Sequence, residues 1–283
     1  MTGVQTCALP ISWKACPAKD PVEGARLKGL QCASVRVPLD YARPDGGQIT
    51  LELTRARHTA SRSQGAVLLN RGGPGAHGRD LPNVFKSGLP KRVAASYDWI
   101  GFDPRGVGAS RPSLICDPAY QDPGRARADT IPGDAAEERA WTARAKAYAD
   151  DCARKYGKVL PHMGTADWAR DMDEIRQALG QEKLNYFGYS YGSYLGAVYT
   201  QMFPGRTDRV VLDSAGDPDA YWDDVQRSRA RPACSPCAAS PPTESTANTA
   251  TIAWTPRSTP IWPPESFPPP TRPAAPGRPR IAG

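Results

Sequence analysis

Long hydrophobic runs and basic surface stripes are both missing from this sequence. No apolar run approaches the 18 residues that a membrane-spanning helix needs. The net charge is +7, but +4 of it comes from residues 228–283, and no stripe of Lys and Arg interleaved with aromatic residues is present. We therefore expect neither a membrane span nor a nucleic-acid partner. The sequence leaves the oligomeric state open.

Histidine is scarce, and no metal-binding pattern is present. The sequence has three histidines, His58, His77 and His162. Cys234 and Cys237 form a C-x-x-C, but no second pair accompanies them, as a structural zinc site would require. We expect no metal and no cofactor.

The two ends differ in composition from the middle of the chain. Residues 1–12 have neither a secretion signal nor a helical pattern and resemble translated sequencing-adapter read-through, so we exclude them from fold reasoning. Residues 228–283 contain 14 of the 30 prolines and no lysine, a composition that predicts disorder. This segment is either a native proline-rich tail or the product of a shifted reading frame. The folded part is expected within residues 13–227.

One short stretch indicates a catalytic nucleophile. Residues 183–196 read KLNYFGYSYGSYLG, a run of β-formers followed by a G-x-S-x-G pentapeptide and a small-residue helical pattern. In such a strand–turn–helix a serine hydroxyl is held out at the tip of a sharp turn, and the glycines let strand and helix approach closely. Ser190 is the candidate nucleophile. The alternative is a serine in an ordinary glycine-rich turn.

The rest of the middle region alternates between predicted strands and helices. Hydrophobic patterning predicts strands within residues 32–41, 48–57, 66–70, 97–102, 184–187 and 209–213. It predicts helices over residues 134–156, beginning at an Asp134 cap, and 165–179. This alternation predicts an α/β fold with a mostly parallel sheet, in which ligands bind at the carboxyl ends of the strands.

The loops at that edge of the sheet contain the other candidate residues. An acyl-transfer serine needs backbone N–H donors for the developing oxyanion, and one should be the amide of Tyr191. The second should come from the glycine-rich loop after residue 70, where we choose the amide of Gly73. In the loop after residue 102, Asp103 and Arg105 are expected to bond to each other or to nearby backbone and so fix the loop.

Four ordered motifs carry a family resemblance. They read LNRGGPGAHG, GFDPRGVGASRP, the long stretch TADWARDMDEIRQALGQEKLNYFGYSYGSYLGAVYTQMFP, and RVVLDSAGDPD. Over residues 13–224 the chain resembles the α/β-hydrolase fold, and within it the secreted tripeptidyl aminopeptidases, relatives of the proline iminopeptidases. The resemblance implies a serine exopeptidase that releases short peptides from free N-termini, with a helical lid after the strand ending near Asp213. It also implies two disulfides, Cys16–Cys32 and Cys116–Cys152, and an exported protein.

The chain departs from the family pattern at the base and acid of the catalytic triad. All three histidines precede Ser190, whereas the family places its acid and then its histidine after the serine. We interpret His58 as a surface residue, His162 as structural, and His77 as close to the serine but without an oriented carboxylate. Asp213 is interpreted as a structural residue at a strand end.

These departures predict a truncated and catalytically inactive chain that lacks the lid and the C-terminal part of the fold. Two other interpretations stay open. One is an esterase or lipase on the same fold, acting on a small ester, since specificity depends on the lid. The other is a non-catalytic peptide-binding protein that keeps the turn around Ser190.

Overall fold

The structure of the protein is a computed structural model that describes residues 11–120, 132–215 and 252–254. The predictions for residues 1–10, for Cys234 and Cys237, and for most of the proline-rich tail lie outside these residues. No helix in the described ranges is long and apolar enough to cross a membrane.

An eight-stranded sheet with the order β1-β2-β3-β5-β4-β6-β7-β8 forms the centre of the molecule. Strands β4, β5, β6 and β7 are parallel, and the remaining pairings are antiparallel. The strands are β1 Lys14–Ala15, β2 Gln31–Pro38, β3 Gln48–Ala56, β4 Ala66–Asn70, β5 Asp98–Phe102, β6 Leu184–Tyr189, β7 Thr207–Asp213 and β8 Ile252–Trp254. The predicted α/β class is confirmed, and its four parallel strands lie side by side within a mixed sheet.

Within the described residues five α-helices accompany the sheet, and the sequence did not indicate two of them. They are α1 Leu81–Gly88, α2 Lys91–Ser96, α3 Ala135–Tyr156, α4 Thr165–Ala178 and α5 Tyr191–Met202. Helices α1 and α2 are short. The first ends at Gly88 and the second follows Pro90, two residue types that are typical of loops in a sequence. Asp134 caps α3 as predicted, since its side chain accepts hydrogen bonds from the amides of Ala136 and Glu137.

The sheet separates two hydrophobic clusters, which explains why its inner strands are apolar on both faces. In β4, Leu68 belongs to one cluster and the next residue, Leu69, to the other, and all five residues of the strand are buried. The larger cluster packs helices α4 and α5 against the sheet, whereas the smaller one contains Leu81 and Phe85 of α1. Because β4 and β6 pair in parallel, the loops that follow them emerge at the same edge of the sheet.

Two observations differ from the expected limits of the folded part. Strand β8 lies inside the segment predicted to be disordered and pairs with the outer edge of β7. Ile252 and Trp254 are strong β-formers, and an unpaired strand edge is a template for such residues. Ile11, which falls in the excluded leader, packs against the larger hydrophobic cluster.

Candidate active site

Ser190 lies at the tip of the turn between β6 and α5 and is exposed. Its backbone has φ 51° and ψ −120°. Residues with a Cβ rarely adopt positive φ, and such conformations cost about 1–3 kcal/mol, so the surrounding structure must hold them in place. The Ser190 amide donates a 2.9 Å hydrogen bond to the carbonyl oxygen of Asp213, at the end of β7. The turn is therefore strained and tied to the neighbouring strand.

The glycines on either side of Ser190 are required by close backbone contacts. A Cβ on Gly188 would collide with the carbonyl oxygen of Gly192, across the turn. A Cβ on Gly192 would lie 2.8 Å from both the backbone and the side-chain oxygen of Asn70, at the end of β4. Only a residue without a side chain fits at either position, which is the physical basis of the G-x-S-x-G spacing.

The glycine-rich loop of residues 71–78 packs directly against this turn. Gly72 has φ +87°, and a Cβ there would collide with the Tyr189 carbonyl oxygen and lie 2.9 Å from the Tyr191 amide nitrogen. The Gly72 amide donates a 2.8 Å hydrogen bond to Asn70 Oδ1, and the next residue, Gly73, is exposed. Tyr191 begins α5, where amides of the first turn point out of the helix end. The two predicted donor residues thus flank the closest contact between loop and turn.

Asp103 fastens the 71–78 loop from the neighbouring strand. Its carboxylate accepts hydrogen bonds from the amides of Gly78 (2.9 Å) and Ala109 (2.8 Å), and the residue is fully buried. One side chain therefore joins the loop after β4 to the loop after β5, as the backbone-bonding interpretation predicted.

Arg105 does not pair with Asp103, contrary to one of the two expectations for it. Its Nε and Nη2 atoms donate to Asp171 of α4 at 2.7 and 2.5 Å, and both side chains are almost fully buried. Burial and the Asp171 carboxylate raise the pKa of the Tyr41 hydroxyl, which stays protonated and donates a 2.7 Å hydrogen bond to that carboxylate. Arg105 also donates to the backbone carbonyl oxygens of Pro38, Leu39 and His162. It links α4 to the loops around it.

Asp213 and Ser193 support the turn through backbone atoms. The Asp213 carbonyl oxygen accepts from the Ser190 amide and also from the Ser193 hydroxyl, which lies 3.0 Å from the Gly188 carbonyl oxygen. The Asp213 carboxylate accepts a 3.2 Å hydrogen bond from the Ser214 hydroxyl. The structural interpretation of Asp213 agrees with these contacts. The sequence did not indicate this role of Ser193. The available signal was its small polar side chain in the first turn of α5.

The family of the chain follows from its comparison with known proteins. Residues 65–231 match the family model described as the alpha/beta hydrolase fold, a range that includes β4, the 71–78 loop and the turn at Ser190. The chain belongs to the α/β-hydrolase fold family. The fold expected from the resemblance is thereby confirmed.

Three relatives of this α/β hydrolase are peptidases or esterases by name. The chain is 46% identical to tripeptidyl aminopeptidase of Streptomyces coelicolor over 219 residues, which are 75% of the chain and 39% of that protein. It is 40% identical to serine protease Hip1 of Mycobacterium tuberculosis over 217 residues, covering 75% of the chain and 40% of Hip1. It is 37% identical to carboxylesterase B of Mycobacterium tuberculosis over 225 residues, 76% of the chain and 42% of the relative. The chain spans about two fifths of the length of these relatives.

The three histidines of this α/β hydrolase lie against groups other than Ser190. His58 Nδ1 lies 2.7 Å from Asp98 Oδ1, and its side chain is 21% exposed, so this histidine is half-buried at the surface against a carboxylate. The Asp98 carboxylate, 40 residues away in sequence, draws it inward. His77 Nδ1 lies 3.5 Å from Glu23 Oε1. His162 closes a short 3₁₀ turn, and its carbonyl oxygen accepts from Arg105. No hydrogen bond joins any of these imidazoles to the Ser190 hydroxyl.

The two disulfides of the structure join Cys16 to Cys32 and Cys116 to Cys152. These are the pairs that the family resemblance implied. The first closes a loop of residues 16–32 that packs beside the 71–78 loop. The second attaches α3, in which no residue is buried, to the segment after β5.

A cavity of about 530 Å³ lies away from the candidate site. It is lined by Trp13, Arg55 and Asp98 among others, at the amino ends of β4 and β5. Parallel sheets bind ligands at the carboxyl ends of their strands, and the Ser190 turn is at that opposite edge.

Proposed function

We propose that Ser190 is the nucleophile of a serine hydrolase and that the amides of Gly73 and Tyr191 form its oxyanion hole. The observation that carries this proposal is the strained, exposed Ser190 turn, with Gly72 packed against it. Strained backbone conformations occur mostly at functional sites, where the surrounding structure stabilises them. Here the strained turn presents the Ser190 hydroxyl to solvent. Each oxyanion donor of this kind contributes about 2.7–4 kcal/mol to transition-state stabilisation.

The proposed substrate is a peptide with a free amino terminus. The support is the 46% identity to a protein named tripeptidyl aminopeptidase, across the residues that form the turn and the 71–78 loop. The N-terminal peptide would be the acyl group of such a substrate. Ser190 Oγ would bond to its carbonyl carbon as the C–N bond breaks and the rest of the chain leaves as an amine with the serine proton, and water would then hydrolyse the ester and restore the serine hydroxyl.

The general base is the part of the machinery that the described residues do not supply. His58 lies against Asp98 and His77 against Glu23, whereas His162 offers its backbone carbonyl oxygen to Arg105. Among the described residues, none of the three imidazoles is hydrogen-bonded to Ser190. Serine proteases that lose a triad member keep about 10³- to 10⁴-fold acceleration over water from oxyanion stabilisation and binding. We expect turnover by this chain on its own to be limited to that range.

Covalent labelling tests the nucleophile without requiring full activity. The chain would be incubated with a fluorophosphonate probe, and the modified residue located by mass spectrometry. We expect slow labelling confined to Ser190, lost in Ser190→Ala and kept in Ser87→Ala, an exposed serine on α1. Labelling spread over several serines, or the same rate in Ser190→Ala, contradicts the proposal.

An esterase is the second candidate, favoured by the 37% identity to a carboxylesterase B. The two candidates differ in what they turn over. A tripeptidyl anilide cleaved only when its amino terminus is free supports the exopeptidase, and p-nitrophenyl ester cleavage alone supports the esterase. Peptide binding without any labelling of Ser190 supports the non-catalytic alternative.

We further propose that the protein is exported or exposed at the cell surface. Two disulfides in the described residues support this, because disulfides persist in oxidising compartments. Thiol labelling of protein from its native source should find Cys16, Cys32, Cys116 and Cys152 blocked. Free thiols at these positions would contradict the proposal.

A further inference from the structure

The disulfide-closed 16–32 loop holds the 71–78 loop through two acidic residues. Asp20 accepts hydrogen bonds from Arg79 Nη2 (2.5 Å) and Nη1 (3.3 Å), and both side chains are about 5% exposed or less. The same carboxylate accepts from the amides of Val22 and Glu23, which shapes the loop around it. Asp20 is therefore a satisfied anchor at the end of the 71–78 loop.

Glu23, three residues later, is not satisfied in the same way. Its side chain is 1% exposed, and neither carboxylate oxygen has a hydrogen-bond partner among the described residues. The nearest positive groups are His77 Nδ1 at 3.5 Å and Arg26 Nη1 at 3.6 Å, the latter on a side chain that is 69% exposed. Burial raises the pKa of the Glu23 carboxyl, and the nearby carboxylates Asp80 and Asp103 raise it further.

The surrounding charges leave His77 and the exposed Arg26 as the partners of this carboxyl. Asp80 is paired with Arg71 at 2.8 Å, Asp103 is committed to backbone amides, and Arg79 is held by Asp20. A proton on Glu23 lets its carboxyl act as a hydrogen-bond donor towards His77 Nδ1, 3.5 Å away. Without that proton, a buried carboxylate faces the carboxylates of Asp80 and Asp103, and its nearest permanent cation is the exposed Arg26.

We propose that Glu23 is a positioning residue for the 71–78 loop, and that a proton on its carboxyl, directed at His77, keeps this loop against the Ser190 turn. His77 is four residues from Gly73, so movement at His77 displaces the proposed oxyanion donor. The inference deepens the proposed function and rests on it for the role of Gly73. Loss of the proton to solvent as the pH rises leaves Glu23 charged and loosens the loop.

The size of the effect follows from linkage between protonation and loop opening. Because the closed loop binds the proton more tightly than an open one, opening becomes more favourable as the pH rises above the ordinary value of 4.5. Each unit by which closure raises the pKa corresponds to about a tenfold change in the opening equilibrium.

Hydrogen–deuterium exchange of the full chain measures this opening directly. After correction for intrinsic exchange, protection of amides 72–80 in the unmodified chain should fall between pH 5 and 8. Glu23→Gln, which mimics the protonated carboxyl, should show no such fall. Amides of Thr165–Ala178 in α4, which do not contact Glu23, provide the internal control. The same pH dependence in Glu23→Gln, or none in the unmodified chain, overturns the inference.

A second variant covers the case in which Glu23→Gln does not fold. His77→Gln alters a side chain that is 44% exposed and removes the cation that favours ionised Glu23. The fall in protection should then move to higher pH, and an unchanged profile counts against the proposal. Because hydrogen exchange is measured without catalysis, it tests the positioning role of Glu23 independently of the hydrolase proposal. Absence of Ser190 labelling defeats the hydrolase proposal alone, whereas pH-independent exchange defeats the positioning role alone.

Discussion

Replacement of Ser190 by glycine should make the protein more stable while removing its candidate nucleophile. Ser190 has φ 51° and ψ −120°, which a glycine adopts without strain. Ser190→Ala retains the Cβ and therefore the strain, so comparison of the glycine and alanine variants isolates the backbone contribution from loss of the hydroxyl. The difference in unfolding free energy between the two variants measures the cost of the strained backbone at residue 190.

The expected difference is the strain relieved minus the extra entropy of glycine in the unfolded chain. A non-glycine residue in such a conformation costs about 1–3 kcal/mol, and glycine increases the entropy of the unfolded state by about 0.4–1 kcal/mol. Ser190→Gly should therefore exceed Ser190→Ala in unfolding free energy by about 0–2.6 kcal/mol. At Ser87, within helix α1, the order should be reversed by about 0.5–1 kcal/mol because glycine is a poor helix former.

Urea unfolding followed by tryptophan fluorescence measures both pairs of variants in the full chain. The unfolding free energies are compared only between variants with equal urea m-values, so that a change in the unfolded state is not mistaken for stabilisation. If Ser190→Gly is less stable than Ser190→Ala, the turn is not strained and the argument for a functional Ser190 loses its main support.

Three further changes test the contacts around the site. Gly72→Ala should destabilise the protein by about 1–3 kcal/mol from backbone strain alone, and should abolish labelling at the Ser190 turn, measured by urea unfolding and mass spectrometry. Asp171→Asn should cost about 3–5 kcal/mol in thermal unfolding, because it leaves the buried charge of Arg105 without its partner, and a transition as high as the unmodified protein's would contradict that. Replacement of both Cys116 and Cys152 by serine should speed proteolysis within α3 while changing the unfolding free energy of the sheet by less than about 1 kcal/mol. If α3 and the sheet are destabilised equally, α3 is part of the core.

The elements that the sequence predicted correctly are those with local causes. Strand β4 is an apolar run between polar segments, and the turn at Ser190 needs glycines two residues to either side because backbone approaches backbone there. A local pattern and a local requirement coincide at these sites, so the residues alone indicate the geometry.

The elements that the sequence did not predict depend on residues far apart in the chain. Arg105 meets Asp171 across 66 residues, and no spacing rule connects a loop arginine to one aspartate on a helix rich in charge. His58 looked like a surface residue because its partner, Asp98, is 40 residues away in another strand. The topology of the sheet decides which charged side chains meet, and hydrophobic periodicity predicts that topology only approximately.

The same distinction explains why the glycine-rich loop needs support from outside itself. Glycine lets residues 72 and 73 lie against the Ser190 turn, but it also gives the loop more freedom to lose on folding than any other residue type would. Side chains from distant segments offset that freedom, with Asp103 holding Gly78, and Asp20 holding Arg79. Of these supports only the Glu23–His77 contact lacks a hydrogen bond, and it lies closest in sequence to Gly73. The position of the proposed oxyanion donor should therefore respond first to whatever changes the charge of that pair.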